Sequence, residues 1–477
     1  MKPSNPLLSE HLLTDGSVLY SSSLGNILIG CPPEILKVLM TKHVPMPDTI
    51  VIPGTLHKYS SSQACLEFPF YHFLFIQQGL ARGKKFKVYA KKATCNKLSE
   101  MLRVTLIGPS LEEMLQVEKK LKIPEKLDAK KVEQIFKEVQ FLAPKDKNGK
   151  NFKMEEMIEF IPFEIGDKKI VYEGYQDHPE ITIERIDDDD FRVSCNNSFD
   201  CSIHIDQEQS PVYDIKAAKV SKSELASKTI FTVQCLGASE GFDPTQPANG
   251  FLFHFNQKWY LWDCPAFLRK QLEAIGIEFD DLDGIFISHV HEDHLDIMET
   301  FNENKKPKIY TSPEIFHCMV LKLMAILNCS YSQAAGHYDF QPIYVNKPFE
   351  LSGATFEVFY SSHAIPALGL RLSVPGKKKS ARLFHSGDNL SKRMIKVLSD
   401  AKVYSAARTK EVNNFLPDEE AYDIAFVDAG GGAIHGDVED YVSNPNRVVY
   451  MHTGKKLTGF PQNHRLLKAG QRFIINR

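Results

Sequence analysis

The stretch Ile285-Phe286-Ile287-Ser288-His289-Val290-His291-Glu292-Asp293-His294 places four candidate metal ligands within six residues. The apolar run 285–287 predicts a buried strand, so the ligands follow its carboxyl end. Because His289 and His291 are two residues apart, extended backbone points both side chains the same way, towards one ion. Asp293 and His294 follow at once and can turn towards a second ion. The stretch therefore predicts a metal site at the end of a strand.

Three further candidate ligands also follow apolar runs. The runs 356–360, 382–385 and 447–451 lead respectively to His363, Asp388 and His452. For each residue alone, a structural role is as good an interpretation as metal binding. Their shared placement after predicted strands favours the ligand interpretation.

Residues 288–294 resemble the H-x-H-x-D-H motif of the metallo-β-lactamase superfamily, and the three later residues resemble that family's later ligands. The resemblance implies two divalent ions, one held by His289, His291 and His363, the other by Asp293, His294 and His452, with Asp388 between them. Zinc suits imidazoles with a few carboxylates, although manganese or iron fit similar ligands. The resemblance also implies that Asp263 orients the ligand loop, for which a helix N-cap role before Pro265 is the alternative.

For the fold, the resemblance implies an α/β protein with an αββα sandwich in residues 221–477. A chain of 477 residues is longer than single cores usually grow, so a second domain is expected at 1–220, with the boundary in the polar segment 210–227. An echo between Ile27–Pro32 and Tyr260–Pro265, each a strand-like run ending in Cys-Pro, favours two tandem copies of the fold. The first copy would lack metal ligands; chance similarity is the alternative.

Composition narrows the class of protein without naming a partner. The net charge of −3 is too small to indicate nucleic acid or a membrane surface. The start of the chain lacks a signal-peptide pattern, and no run of about 18 apolar residues occurs, so we expect no membrane partner and a cytoplasmic location. Nine scattered cysteines without a C-x-x-C pair are expected to be reduced.

A pair of divalent ions lowers the pKa of a bridging water to near neutrality and neutralises charge on the substrate, which predicts a hydrolase with a hydroxide nucleophile. The sequence has no Gly-x-Ser-x-Gly elbow for a covalent mechanism. Aspartate at 388 argues against the zinc β-lactamases, which have cysteine there. The ligand set resembles the phosphodiesterase branch, which includes ribonuclease Z and cyclic-nucleotide phosphodiesterases, and also the thioester-cleaving glyoxalase II type.

Asp293 and His435 are the candidate catalytic groups. His435, in Gly430–Asp437, lies where ribonuclease Z-like enzymes carry a histidine that assists the leaving group, although Gly-Asp follows it here in place of the usual hydroxyl residue. An incidental histidine in a glycine-rich turn is the alternative. The tail 454–477 is cationic and free of acidic residues, which fits either a phosphate-binding rim or a solvated segment, its basic residues being Lys455, Lys456, Arg465, Lys468, Arg472 and Arg477. The lysine triple 377–379 should lie far from the metals, at the other end of a strand.

We therefore expect a phosphodiesterase that acts on RNA or a (cyclic) nucleotide. A thioester or lactone hydrolase of the glyoxalase II type is the second hypothesis, and a non-catalytic metal-binding or sensing protein is the third. The N-terminal half would serve as a scaffold, a substrate clamp or the surface of a homodimer.

Overall fold

The computed structural model describes residues 8–13, 16–58, 61–174, 180–196, 199–206, 208–217, 230–302, 304–377, 379–453 and 459–476. The chain forms two compact units. The first comprises Met1–Leu102, Phe152–Val212 and Leu321–Ala334; the second comprises Arg103–Asn151, Tyr213–Val320 and Ala335–Arg477. The predicted domain boundary near residue 220 falls in 218–229, outside the described residues, and stays a prediction.

The N-terminal half contains twelve described strands and six described helices. The strands are β1 Ser9–Leu12, β2 Val18–Ser21, β3 Asn26–Ile29, β4 Thr49–Val51, β5 His57–Lys58, β6 Ser61–Ser62, β7 Phe86–Ala90, β8 Ile158–Pro162, β9 Lys168–Tyr172, β10 Ile181–Arg185, β11 Asp190–Cys195 and β12 Phe199–His204. The helices are α1 Ile35–Thr41, α2 Glu67–Tyr71, α3 Lys92–Leu106, α4 Leu111–Leu121, α5 Ala129–Leu142 and α6 Met154–Met157.

The first unit contains two facing sheets. Within the described residues, β1-β2-β3-β4-β7-β8 form one sheet, antiparallel from β1 to β3 and parallel from β3 to β8. Strands β9 to β12 form an antiparallel second sheet. Apolar side chains from both, such as Tyr20 and Ile29 opposite Ile183 and Phe191, share one buried core. Burial of these alternating apolar residues is what holds the two sheets together.

A buried arginine lies at the end of strand β10 in the first unit. Arg185, at the end of β10, is fully buried, and its guanidinium lies 5.1 and 4.9 Å from the ring centroids of Phe163 and Phe191. It donates hydrogen bonds to the carbonyls of Ile52, at 2.7 Å, and Asp188, at 3.0 Å. The aromatic rings and carbonyls compensate for removing the charge from water.

The C-terminal half contains fourteen described strands and five described helices. The strands are β13 Ile230–Gly237, β14 Gly250–Phe255, β15 Lys258–Trp262, β16 Gly284–Phe286, β17 Lys308–Thr311, β18 Asp339–Pro342, β19 Phe349–Leu351, β20 Ala354–Tyr360, β21 Leu368–Val374, β22 Ala381–His385, β23 Ile424–Asp428, β24 Val448–Met451, β25 Arg465–Leu466 and β26 Arg472–Asn476. The helices are α7 Leu268–Ile275, α8 Pro313–Ile326, α9 Tyr331–Gly336, α10 Lys392–Asp400 and α11 Ala406–Asn413.

The second unit is an αββα sandwich, as predicted. In its described part, one sheet has the order β18-β17-β16-β15-β14-β13-β26 and the other β19-β20-β21-β22-β23-β24-β25. Their inner faces meet through aromatic rings: Phe286 stacks on Phe356 at 4.9 Å between centroids, and Phe251 contacts Phe426 at 4.8 Å. Such pairs contribute about 0.5–1.5 kcal/mol beyond the burial of their area.

Helices cover the outer face of the second sheet of this sandwich. Ile395 and Leu398 of α10 and Val412 of α11 pack against a buried core that includes Phe384 and Val448. Phe141 and Leu142 of α5 join the same core. Helix α5 therefore packs with the C-terminal half, although it precedes that half by about 90 residues in the chain.

The first sheets of the two units share backbone details around the Cys-Pro echo. The amide of Cys31 bonds the carbonyl of Gln63, and that of Cys264 bonds the carbonyl of His294. The residue before each following helix, Glu34 or Phe267, is in the left-handed region, at φ 55° and 58°. In both sheets an antiparallel meander of three strands continues into three parallel strands. These parallels are those expected of tandem copies, although duplication itself stays a prediction.

Of the described helices, none combines the length and the apolar character needed to cross a bilayer.

Candidate metal centre

The predicted ligands lie at the carboxyl ends of strands that share one edge of the sandwich. His289 follows β16, His363 follows β20, Asp388 follows β22 and His452 follows β24. Because β22, β23 and β24 are parallel, their carboxyl ends meet on the same side. The loop 288–294 continues as a turn into a 3-10 segment at Ile297–Thr300, where sequence reasoning had allowed a helix to begin at Asp293.

The structure brings His289, His291 and His363 together as one group of buried imidazoles. The Nε2 atoms of His289 and His363 each lie 3.1 Å from Nδ1 of His291. The opposite ring nitrogens of the three residues contact Ser288 Oγ, the carbonyl of Thr105 and the carbonyl of Ile434, at 2.9, 2.9 and 3.0 Å in the order His289, His291, His363. A carbonyl oxygen can only accept a hydrogen bond, so the ring nitrogen that faces it carries the proton. In the neutral rings of His291 and His363, the inner nitrogen therefore carries a lone pair.

A second group comprises Asp293, His294 and His452. His452 Nε2 lies 3.0 Å from Asp293 Oδ2 and 3.1 Å from His294 Nε2. All three side chains are buried, and their ligand atoms lie within 4.8 Å of one another. Zinc–nitrogen bonds of about 2.0–2.1 Å bring ligand atoms to comparable separations.

Asp388 lies between the two groups. Its Oδ2 is 3.7 Å from Nε2 of both His289 and His363 and 3.4 Å from that of His452, while its Oδ1 is 3.3 Å from His294 Nε2. It is 1% exposed, and within the described part of the chain neither carboxylate oxygen has a hydrogen bond of normal geometry. A buried carboxylate without hydrogen bonds is costly unless a cation compensates it. The residues therefore fit divalent metal ions.

The pKa values of the imidazoles agree with this interpretation. Burial lowers the pKa of His291 to about 3 and that of His363 to about 4, which keeps both neutral. Burial alone would also lower the pKa of His452, but Asp388 and Asp293 raise it to about 9. Asp388 and Asp293 thus favour a positive charge at the ring of His452. Either a proton or a metal ion can supply that charge.

Asp263 anchors the ligand loop, as the resemblance implied. Its Oδ1 accepts from the Ser288 amide at 2.7 Å, and its Oδ2 contacts Ser288 Oγ at 2.9 Å and His294 Nδ1 at 2.8 Å. The carboxylate thereby fixes the tautomer of His294 and directs its Nε2 towards Asp388. Asp263 adopts φ 65° at the end of β15, a conformation that aspartate tolerates better than most residues.

Asp428 is a site residue that sequence reasoning missed. It follows the apolar strand residues 424–427, and its Oδ2 accepts from the Asn389 amide at 2.9 Å and contacts His435 Nδ1 at 3.0 Å. The signal was present in the sequence, because Asp428 also ends an apolar run. His435 stacks beside His452, with ring centroids 4.5 Å apart, and is 17% exposed. Gly430 permits this approach, since a Cβ there would lie 2.9 Å from both His435 Cγ and the carbonyl of His452.

Two basic segments, 377–379 and 454–477, are described only in part. Lys379 pairs with Asp423 beside the start of β22, the end opposite His385, while Lys378 lies outside the described residues. In the tail, Arg465 lies on β25 and Arg472 on β26. Lys455, Lys456 and Arg477 lie outside the described residues. The cationic rim stays a prediction.

Comparisons with known proteins match this half of the chain. The family model of anti-Pycsar protein Apyc1 matches residues 231–407. The chain is 25% identical over 231 residues to cGMP-dependent 3',5'-cGMP phosphodiesterase A of Dictyostelium discoideum, an alignment that covers 48% of this chain and 26% of the relative. It is 27% identical over 223 residues to cAMP/cGMP-dependent 3',5'-cAMP/cGMP phosphodiesterase B of the same organism, covering 46% and 20%. The chain thus spans about a quarter of the first relative and a fifth of the second.

Two solved structures are similar at low sequence identity. The metallo-β-lactamase fold protein YhfI of Bacillus subtilis is 16% identical with a TM-score of 0.39, covering 52% of this chain and all of that chain. The short form of human tRNase Z is 15% identical with a TM-score of 0.36, covering 51% of this chain and 98% of that chain.

The second unit combines a sandwich of two mixed sheets with grouped histidine and aspartate side chains at the ends of its strands. The second unit, an αββα sandwich, is similar to metallo-β-lactamase-fold proteins. It carries its H-x-H-x-D-H loop between β16 and the 3-10 segment that follows, at the edge where both sheets end.

Proposed function

We propose that the second unit is a metal-dependent phosphodiesterase of the metallo-β-lactamase superfamily, with a 3',5'-cyclic nucleotide as the favoured substrate and RNA as the alternative. The observation that carries the proposal is the His435–Asp428 pair beside the two ligand groups, 3.0 Å between Nδ1 and Oδ2. Hydrolysis of a phosphodiester releases an alkoxide, which needs a proton donor. The phosphodiesterases of Dictyostelium discoideum, aligned over nearly half of this chain, support the choice of substrate.

A pair of divalent cations held by the seven proposed ligands would supply a water that ionises near neutral pH and would neutralise charge on the phosphate. The carbonyls of Thr105 and Ile434 accept the N–H protons of His291 and His363. The other ring nitrogen of each histidine is therefore left with a lone pair for the cation. Asp388 contributes a buried negative charge to both groups. Zinc is the proposed metal, and manganese or iron fit the same ligand types.

His435 is the proposed general acid, and Asp293 the proposed acid–base partner of the attacking water. Asp428 accepts the Nδ1 proton of His435, so Nε2 is the nitrogen that exchanges a proton with the leaving oxygen. The partial exposure of His435 leaves it accessible to a substrate. Asp293 is also a proposed ligand, and its Oδ2 contacts His452 Nε2.

The test measures metal content and substrate range on the same purified full-length chain. Elemental analysis should find two divalent ions, and 3',5'-cGMP and 3',5'-cAMP should be hydrolysed together with bis(p-nitrophenyl) phosphate. Asp388→Ala should abolish turnover. Asp400→Asn, which alters an exposed carboxylate paired with Lys396, is the matched control and should retain it.

Three outcomes would replace the proposal. Cleavage of RNA without cyclic-nucleotide hydrolysis would select the ribonuclease alternative. Thioester or lactone hydrolysis without phosphodiester cleavage would select the glyoxalase II type. Bound metal without turnover of any of these substrates would leave a metal-binding or sensing protein. A homodimer and a cytoplasmic location remain predictions, which light scattering and imaging would test.

A further inference from the structure

The segment Arg103–Asn151 belongs to the same compact unit as the metal centre, although it comes from the N-terminal half of the sequence. It contains the last turn of α3 and the whole of α4 and α5. One of its groups forms a hydrogen bond with a proposed ligand of the first cation. A second group binds a side chain that contacts the backbone just before another of these ligands.

The first group is the backbone carbonyl of Thr105. It lies in the last turn of α3, where carbonyls have no intrahelical partner and share the negative end of the helix dipole. This carbonyl is 2.9 Å from His291 Nε2 and accepts its N–H. The hydrogen bond fixes the tautomer that turns His291 Nδ1 towards His289 and His363.

The second group is the Glu138 carboxylate on α5. It forms a two-pronged ion pair with Arg408, at 2.9 Å from Nε to Oε1 and 3.0 Å between the second nitrogen and Oε2. The Glu138 and Arg408 side chains are 2% and 5% exposed. A buried guanidinium without its carboxylate is strongly unfavourable, so the pair acts as one unit.

Arg408 transmits this contact to the strand that precedes His363. Its guanidinium donates to the carbonyls of Tyr360 at 3.0 Å and Ser361 at 3.2 Å, the last residue of β20 and the one after it. The amide of the next residue, Ser362, donates to Asn389 Oδ1 at 3.0 Å, beside Asp388. Glu138 therefore sets the position of Arg408, and Arg408 sets the backbone from which His363 projects.

We propose that Glu138 and the Thr105 carbonyl are positioning groups for the cation site of His289, His291 and His363. The proposal rests on the proposed metal binding. It predicts an asymmetry, because the contacts of this segment reach His291 and His363 of the first group. Loss of either contact weakens one of the two metal-binding steps and leaves the other step as it was.

The test is a metal titration of the full-length chain against a chromophoric chelator, with cobalt spectra as a second readout. Glu138→Gln keeps the shape of the side chain and removes its charge. One of the two dissociation constants should rise about tenfold, as expected for a partner outside the ligand shell. The cobalt spectrum of that step should shift, and Glu138→Asp, which restores the charge, should recover part of the affinity.

The matched control is Glu67→Gln in the first unit. Glu67 and Lys322 form a similarly buried ion pair, 2.6 Å from Nζ to Oε1, with side chains 1% and 4% exposed. The substitution leaves a buried cation without its carboxylate, as Glu138→Gln does, so it reproduces the cost to folding. Both metal dissociation constants should stay at the wild-type values.

A second variant guards against failure of Glu138→Gln to fold. Arg408→Lys retains a positive charge beside Glu138 but loses the planar fork that reaches two carbonyls. It should weaken the same single metal-binding step. Unchanged constants, or equal weakening of both steps in a folded variant, would overturn the proposal. A wild-type chain that binds no metal would instead overturn the proposed function, and this proposal with it.

Discussion

Asp428 and His435 form a carboxylate–imidazole pair in which Oδ2 lies 3.0 Å from Nδ1, and Asp428 is fully buried whereas His435 reaches solvent. Asp428 also accepts from the amides of Asn389 and Gly430, both at 2.9 Å. Asp428 therefore accepts hydrogen bonds from two amides and from His435 Nδ1, and His435 Nε2 is the ring nitrogen that this carboxylate does not engage.

If His435 protonates the leaving oxygen, His435→Ala should lower kcat for a cyclic nucleotide by about two to four orders of magnitude. The loss should be much smaller for bis(p-nitrophenyl) phosphate, because p-nitrophenolate leaves without a proton. Asp428→Asn should follow the same pattern more weakly. Steady-state kinetics on both substrates, at equal metal content, measure the difference; equal losses on the two would argue against a general acid.

Asp263→Asn should weaken metal binding by about 10- to 100-fold. The substitution offers an N–H or a neutral oxygen where His294 Nδ1 and the Ser288 amide now meet a carboxylate. Chelator competition measures the affinity. The exposed Asp400→Asn serves as the control, and an unchanged affinity in Asp263→Asn would show that the contacts of Asp263 with Ser288 and His294 do not support metal binding.

Metal removal should lower the thermal stability of the second unit. A ligand at 100 times its dissociation constant contributes about 2.7 kcal/mol, which for a unit of about 300 residues raises Tm by roughly 4–5 °C. Differential scanning calorimetry with and without a chelator should resolve this shift. In Asp388→Ala the chelator should have little effect, because the carboxylate that needs the cations is gone.

The stability of the second unit should also depend on pH through Glu113. This residue lies on α4 and is not one of the proposed ligands. Burial alone would raise the pKa of this carboxyl, but His317, the Ser110 amide and Arg103 hold it well below its usual range. A lowered folded-state pKa contributes stability above the unfolded value of about 4.3, and this contribution disappears as the pH falls further.

Glu113→Gln should therefore cost about 1–2 kcal/mol at pH 7, and the cost should shrink below about pH 4.5. Urea unfolding at several pH values tests this. Glu112→Gln, the exposed neighbour whose carboxylate contacts Gln116, is the control and should show no such dependence.

The grouping of the proposed ligands was largely predictable, because histidine and aspartate side chains can be recognised in the sequence. His289, His291, Asp293 and His294 are adjacent in sequence, and His363, Asp388 and His452 each follow an apolar run. Asp428 follows such a run too, but the family pattern has no ligand position for it. The Thr105 carbonyl carries no side-chain signature and lies 186 residues from His291, so nothing in the sequence marks it.

The family resemblance implied the sandwich, whereas nothing in the sequence indicated the position of α5. Its apolar residues Val132, Ile135 and Val139 are three or four positions apart and are buried on one face of the helix. That spacing identifies which face is covered without indicating what covers it. Glu138 on the same face is buried for a reason that only its partner Arg408 reveals, 270 residues away.

Arg185 has a consequence for how the two halves of this protein respond to their surroundings. Its guanidinium is covalently part of the chain and stays charged at any physiological pH, so the first unit holds a cation that no chelator can extract. The second unit also holds a buried guanidinium, Arg408, but under the proposed function its histidine and aspartate groups would take divalent cations from the medium. Metal starvation would then stop hydrolysis in the second unit while the first unit kept its architecture.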